Sequence, residues 1–547
     1  MGMMSHIALG ISAAVLVAYL MSMEKQVNYN ILSEVRKKYD YIIVGGGSAG
    51  AVLASRLSEK DDVTVLLLEA GGEESETPLY HIPAAWFFLQ KTEADWGYHT
   101  ESQKFSHFGL KGNRSILNAM IYNRGSRYDY DNWASQGCTG WGYDDVLSYH
   151  ARVTPFVDYY LKAAEELGFK IVDYNGEEFE GFAETQFTIR NGERSSTSKA
   201  FLKPAMNRPN LRVVPNSHVV KVIIDQKVAI GVEVIHGGRK YHIYTSKEVI
   251  LSAGVIGSPQ ILMISGIGPK SHLDHLGIPV IADLPVGDNL QDHLMLPVLT
   301  RVNITGSVTE KGMLSWWTIT QYYLFSTGYF SSPLVEVLAH VNTKKAMYAK
   351  AAPDIQFMLI SGLPKVGDYV ELRDDIMNEI LSNLPEEGFA AYVCLLHPKS
   401  KGNIRLRSRD PFDSPIIDPN YLSDEEDIKT FIRGVRLLEK YMQTKTMQKI
   451  GVSLDLLNIT VRDAHDFLSD AYVECYVRHM ATTQSHPAST CKIGPPEDPS
   501  TVVDPQLRVK GIEGLRVVDA SVMPVLTSGN INAPTIMIAE RAVDIIL

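Results

Sequence analysis

The 547-residue sequence predicts an α/β fold in two units: a doubly wound nucleotide-binding unit, and a unit built on an antiparallel sheet with flanking helices. Three observations predict it. The apolar run Tyr41–Val44 meets a glycine cluster that opens a helical pattern, and a second apolar run, "VTVLLLE", ends on Glu69. Beyond about Leu299, strands with mixed polar and apolar residues take over, together with one long amphipathic helix.

The first unit rests on "YIIVGGGSAGAVLASRL". Gly45, Gly47 and Gly50 supply the G-x-G-x-x-G spacing, and Ser48 and Ala49 start the helix. The first glycine allows a tight turn, the second lets the backbone approach a pyrophosphate, and the third lets helix and strand pack closely. The helix N-terminus then offers free N–H groups to phosphate. Glu69, followed by Ala70, stands where an acid accepts hydrogen bonds from ribose hydroxyls. A glycine triplet alone is weak evidence; strand, helix, second strand and terminal acid in register make it specific. The loop itself leaves FAD and NAD both open.

The second unit is read from "APDIQFMLI" and "GFAAYVCLLHPKSKGNIRLRS", which look like strands, and from "SDEEDIKTFIRGVRLLEKYM". In that helix Ser423 and Glu426 form an expected capping box, and Ile428, Phe431, Ile432, Val435 and Leu438 share one face, most simply a core face. Trp316, Trp317 and Tyr322 fit a pocket, a core or a membrane surface equally well.

Composition narrows the function classes. The length favours two domains or one large interleaved unit. A net charge of −11 argues against a nucleic-acid partner, which needs basic surface. Four scattered cysteines, Cys138, Cys394, Cys475 and Cys491, give neither a disulfide framework nor a metal site. Ile7–Met23 is uncharged and apolar and reads as a secretory signal, hence a secreted or extracellular protein. No Lys or Arg precedes it and no A-x-A site closes it, so an uncleaved membrane anchor is the alternative. Sequons at Asn303 and Asn458 lean toward secretion.

Four further segments settle the cofactor. "SILNAMIYNRGSRYDYDNWA", "LSAGVIGSPQILMISGIGP", "LPVGDNLQDH" and the block from His486 to Glu540 resemble hallmark stretches of the glucose–methanol–choline (GMC) flavoprotein oxidoreductases. The resemblance runs from about Lys38 to the last residue, nearest the animal FAD-dependent glucose dehydrogenase-like branch. It implies FAD, an FAD-binding Rossmann-like region over 38–298, a substrate-domain segment over 299–397 and a C-terminal region over 398–547, after the leader or anchor of 1–23. It also implies the reaction, oxidation of an alcohol, sugar or steroid-like CH–OH donor by hydride transfer to flavin. The electron acceptor, oxygen, quinone or another carrier, stays open.

The resemblance assigns residues as well. Gly45, Gly47, Ser48, Ala49, Gly50, Glu69 and Ala70 match the ADP-binding loop and ribose acid. Asn118 matches an asparagine beside the flavin, Val219 a valine at the adenine, and Asp519 and Ala520 the ribityl and pyrophosphate contacts. His486 matches the catalytic histidine and Asn532 the second catalytic position, which is His or Asn. An imidazole suits the base because its ordinary pKa lies near working pH, and an amide can hold an alkoxide without titrating. Asn532 also reads as an N-cap, with Pro534 in the first turn that follows.

The chain departs from the family pattern where a G-G-S-S element is usual, reading Gly112-Asn113-Arg114-Ser115, and Ser485, Ala488 and Ser489 replace an aromatic and Val-Gly around His486. Val473 stands where tryptophan is usual, and a segment near "VLSYHARVTPFVDYY" looks shortened. Two other readings follow: a non-catalytic relative with weakened flavin binding, and a FAD-containing hydroxynitrile lyase-like enzyme.

Overall fold

The computed structural model describes residues 36–74, 78–87, 89, 92, 95–112, 118–136, 154–344, 352–363, 371–454 and 466–547. The expected signal or anchor, Cys138, the Asn458 sequon and Asn113–Ser115 lie outside them. Among the described residues no helix is long and apolar enough to cross a membrane.

The main strands are, in chain order, β1 (Lys38–Val44), β2 (Val65–Leu68), β3 (Gly181–Glu184), β4 (Leu211–Val214), β5 (Ser217–Asp225), β6 (Val228–His236) and β7 (Arg239–Leu251). They continue with β8 (Leu294–Leu299), β9 (Val335–Val341), β10 (Ile355–Ile360), β11 (Ala390–Leu395), β12 (Thr482–Thr483) and β13 (Leu515–Val517). The helices that matter for the site are α1 (Ser48–Leu57), α2 (Gly254–Ile264), α3 (Trp316–Phe325), α4 (Glu425–Met442), α5 (Asp470–Met480) and α6 (Asn532–Ile546).

The first sheet runs β4-β2-β1-β7-β6-β5, with β13 also beside β7. Its centre is parallel: β1 pairs with β2 and β7, β2 with β4, and β7 with β13. These strands are apolar runs with every residue of β2 buried, as parallel strands covered on both faces must be. The meander β5-β6-β7 is antiparallel, so the sheet is mixed. β7 is long enough, at 13 residues, to join both regimes: its first half pairs with β6 and its second with β1.

The second sheet, β12-β8-β11-β10-β9-β3, is antiparallel throughout. Alternation gives it two unlike faces. Ile355, Phe357, Val393 and Leu395 join an apolar core, where Cβ-less Gly434 of α4 lets the helix approach Val393 and Ile355. On the opposite face lie His340, Gln356, Met358 and Tyr392, placed there by the same registers.

α4 buries Ile428, Phe431, Val435 and Leu438, each large side chain contributing about 1.5–3 kcal/mol, with Ile432 at the margin. Its cap is Asp424, not Ser423: the extended Asp424 accepts from Glu426 N–H at 2.9 Å, which leaves Ser423 one residue outside. The chain passes between the two cores repeatedly: β3 joins the second sheet before β4–β7 complete most of the first, β8–β12 return to the second, and β13 goes back to the first.

Candidate functional site

The glycine loop leaves β1 on Gly45, whose φ of +101° is left-handed; a Cβ there would sit 2.4 Å from the Ser252 carbonyl oxygen. At Gly50 a Cβ would strike the Gly45 carbonyl at 1.8 Å, so this glycine is what seats α1 on the turn. Gly47 is different: a Cβ would meet nothing within 4 Å, leaving open space in front of the N-terminus of α1, where Ser48 and Ala49 begin the helix. Glu69, at the end of β2, accepts from Gly46 N at 2.5 Å and Gly71 N at 2.7 Å, which fixes the acid beside the loop. Ala70 is half-buried between them.

Behind the loop, Asp519 accepts from Gly254 N (2.9 Å), Ser258 Oγ (2.6 Å) and Ser521 N (2.8 Å), at the start of α2. Burial raises its carboxyl, with those donors pulling the other way. Ala520 is buried and its carbonyl accepts from Ser489 N. Val219 lies in β5, whose first residue, Ser217, donates its N–H to the Glu69 carbonyl at 2.7 Å, which sets the start of this strand beside the end of β2. Asn118 is held by Arg194, which donates through Nη1 to the Asn118 backbone and side-chain oxygens at 2.9 and 3.1 Å. Burial lowers the Arg194 guanidinium to about 10, and its Nη2 is buried without a partner.

His486 sits where β12 runs into the C-terminal block. The dipeptide Asp292-His293 addresses it twice. Asp292 accepts the His486 backbone N–H at 2.9 Å, and Tyr421 and Thr483 hydroxyls at 2.5 Å each. Burial lifts the Asp292 carboxyl to about 6 against those donors. His293 meets His486 Nδ1 to Nδ1 at 3.0 Å. On the far side of the His486 ring, Nε2 lies 3.2 Å from Asn530 Nδ2. Burial drives His486 down to about 3, so it is neutral at ordinary pH.

The amide beside His486 is therefore Asn530, not Asn532. Asn532 is the first helical residue of α6 and accepts from Ser48 Oγ at 2.6 Å, next to the glycine loop. Nor is it an N-cap; Ile531 holds that place, with no side-chain cap. Gly529, at φ +109°, makes the turn that drops Asn530 beside the imidazole, and a Cβ on it would collide with Asn123. The two asparagines of "GNIN" are equally good candidates by residue type, and only the turn separates them. Asp292, His293, Gly254 and Arg194 were also missed, although "LQDH" was among the quoted hallmark stretches. Of the aromatics read as pocket, core or membrane residues, Trp316 and Trp317 are 72% and 55% exposed, whereas Tyr322 is core.

A glycine loop on a parallel-centred sheet, a roofing antiparallel sheet and a close pair of half-buried His486 and buried Asn530 together fit a flavoprotein oxidoreductase. The chain belongs to the GMC oxidoreductase family, whose two models match residues 39–295 and 398–539. It is 38% identical to the glucose dehydrogenase [FAD, quinone] of Drosophila melanogaster, over 93% of this chain and 87% of that one. It is 36% identical to the mitochondrial choline dehydrogenase of Homo sapiens, over 94% and 90%. Among solved structures, a formate oxidase variant from Aspergillus oryzae RIB40 superposes with a TM-score of 0.80 at 25% identity, covering 93% of this chain and 98% of the other. Pyridoxine 4-oxidase from Mesorbium loti gives 0.77 at 27%, covering 92% and 98%.

The cofactor is FAD, and the residues present fit it. Open space at Gly47 and at Gly254, which has φ +78°, leaves room for a ligand against the backbone. Ser489 and Ser521 hydroxyls are buried without partners around Ala520, and Arg194 Nη2 is buried without one beside Asn118. Unpaired donors of this kind suit phosphate, ribityl and flavin oxygens.

Proposed function

We propose that this protein oxidises a CH–OH donor, with His486 taking the hydroxyl proton and Asn530 holding the oxygen as negative charge develops. The observation that carries this reading is the 3.2 Å approach of Asn530 Nδ2 to His486 Nε2. FAD, when bound, supplies the hydride acceptor. The chain contributes the rest. Burial keeps His486 unprotonated, so its lone pair is available at neutral pH. The same burial disfavours an isolated imidazolium, which is then formed only beside the alkoxide-like oxygen that balances it. Neither group needs to reorganise, since Asp292 pins the backbone of His486 and the Gly529 turn pins Asn530.

A hydroxyl-rich, uncharged donor fits the surroundings better than a quaternary ammonium. Gln484 and Asn530 each keep a buried side-chain oxygen without a partner, and Ser485 a buried hydroxyl. Gln484 continues into Gln356 (3.0 Å) and His340 (3.0 Å) on the polar face of the second sheet. Such acceptors call for O–H donors. Anaerobic addition of a panel of sugars, simple alcohols and choline to the yellow protein tests the reading. Bleaching by polyols above choline supports it; no bleaching by any CH–OH donor, with flavin bound, rejects it.

A further inference from the structure

The His486 ring has two nitrogens, and only one tautomer leaves a lone pair toward Asn530. We infer that His293 is the positioning residue that sets this tautomer, an inference that rests on the proposed role of His486 as base. His293 is fully buried, and burial together with its histidine neighbours His486 and His397 holds it neutral, well below the usual range. A neutral imidazole has one N–H. His293 Nε2 lies 2.9 Å from the Leu396 carbonyl oxygen, which can only accept, so that nitrogen carries the proton. His293 Nδ1 is then a lone pair.

His293 Nδ1 faces His486 Nδ1 at 3.0 Å, and two lone pairs do not approach that closely. The proton between them belongs to His486, which donates it. His486 Nε2 is left as the lone pair, and Asn530 Nδ2–H points at it. The polarity thus runs from a main-chain carbonyl through two rings to the reacting position. When Nε2 takes the substrate proton, His486 becomes a cation bonded at both nitrogens, and the His293 lone pair accepts from its Nδ1–H throughout. No proton leaves His293.

The groups around this pair do not upset the order. The Thr527 carbonyl also lies near the His293 ring and favours its protonated form, while Asp129 is the acidic partner facing His397, 3.9 Å from its Nε2. Asp292 meets His486 through the main chain, not the ring.

The test uses the FAD-loaded protein and two substitutions. His293→Phe fills the volume without an acceptor; His293→Gln restores an acceptor oxygen. The expected result is a roughly 10- to 100-fold slower anaerobic flavin reduction in H293F with little change in donor affinity, largely recovered in H293Q. Imidazole-¹⁵N spectra, assigned by loss of the His486 signals in H486A, give a readout independent of turnover. Wild type and H293Q are expected to show Nδ1–H with an unprotonated Nε2 at His486, and H293F a mixed or inverted tautomer. An unchanged His486 tautomer in H293F, or equal loss of rate in H293F and H293Q, overturns the inference. Failure of wild type to bleach with any donor rejects the oxidoreductase reading instead and leaves the tautomer measurement standing.

Discussion

Ser48 Oγ donates to Asn532 Oδ1 at 2.6 Å, joining residues 484 positions apart. The bond fastens the first residue of α6 to the glycine loop, so the helix that follows Asn530 is indexed to that loop. Packing between α1 and α6 extends this joint, and the Arg56–Glu540 pair closes its far end at 2.9 Å.

Asn532→Ala therefore acts on cofactor retention. The dissociation constant for FAD is expected to rise roughly fivefold, equivalent to about 1 kcal/mol for one lost hydrogen bond. The reduction rate of the flavin that remains bound is expected to stay within about twofold of wild type. Equilibrium flavin binding and anaerobic reduction measured on one preparation separate the two effects.

Asn530→Ala is expected to do the reverse. Removing the amide that faces His486 Nε2 deprives the developing oxyanion of its donor, which slows reduction by about 100-fold or more. The visible spectrum of the bound flavin should barely change. Stopped-flow reduction checks the rate.

Ser489 holds φ at +79° and buries a hydroxyl with no partner, in a place where the family resemblance has glycine. Both features are unfavourable. Ser489→Gly is expected to stabilise the flavin-free protein by about 1 kcal/mol, read from the denaturant midpoint at unchanged slope.

His340 is buried on the roofing sheet, and burial drives its pKa to about 3 from an ordinary 6.5. The unfolded chain then binds the extra proton between those values. The stabilisation from His340 is complete above about pH 6.5 and is lost as pH falls toward 3. His340→Gln should flatten the decline of stability below about pH 6.5 by up to about 1.4 kcal/mol per pH unit, whatever its effect at neutrality. Denaturation at a series of pH values measures that slope.

The parts of this fold that were legible in the sequence are those with short-range signals. The glycine spacing and the acid at Glu69 fixed a loop whose geometry depends on nearby backbone clashes. The stripe on α4 was equally readable because burial repeats with the helical period. Two local details failed by one or two positions, the cap at Asp424 and the amide at Asn530, because neighbouring residues of similar chemistry compete and long-range contacts decide between them. The pairing of His293 with His486 spans 193 positions and has no periodic trace. The interleaving of the two cores, with β3 entering the second sheet far ahead of its partners, is likewise written only in tertiary contacts.

On this account the half-buried imidazole of His486 takes the donor's proton while FAD stays in its cradle. Comparing anaerobic flavin reduction in wild type and His486→Ala tests it most directly. The variant is expected to remain yellow and to bleach at least about 100-fold more slowly with the best polyol donor. Equal bleaching rates in the two proteins would contradict the account.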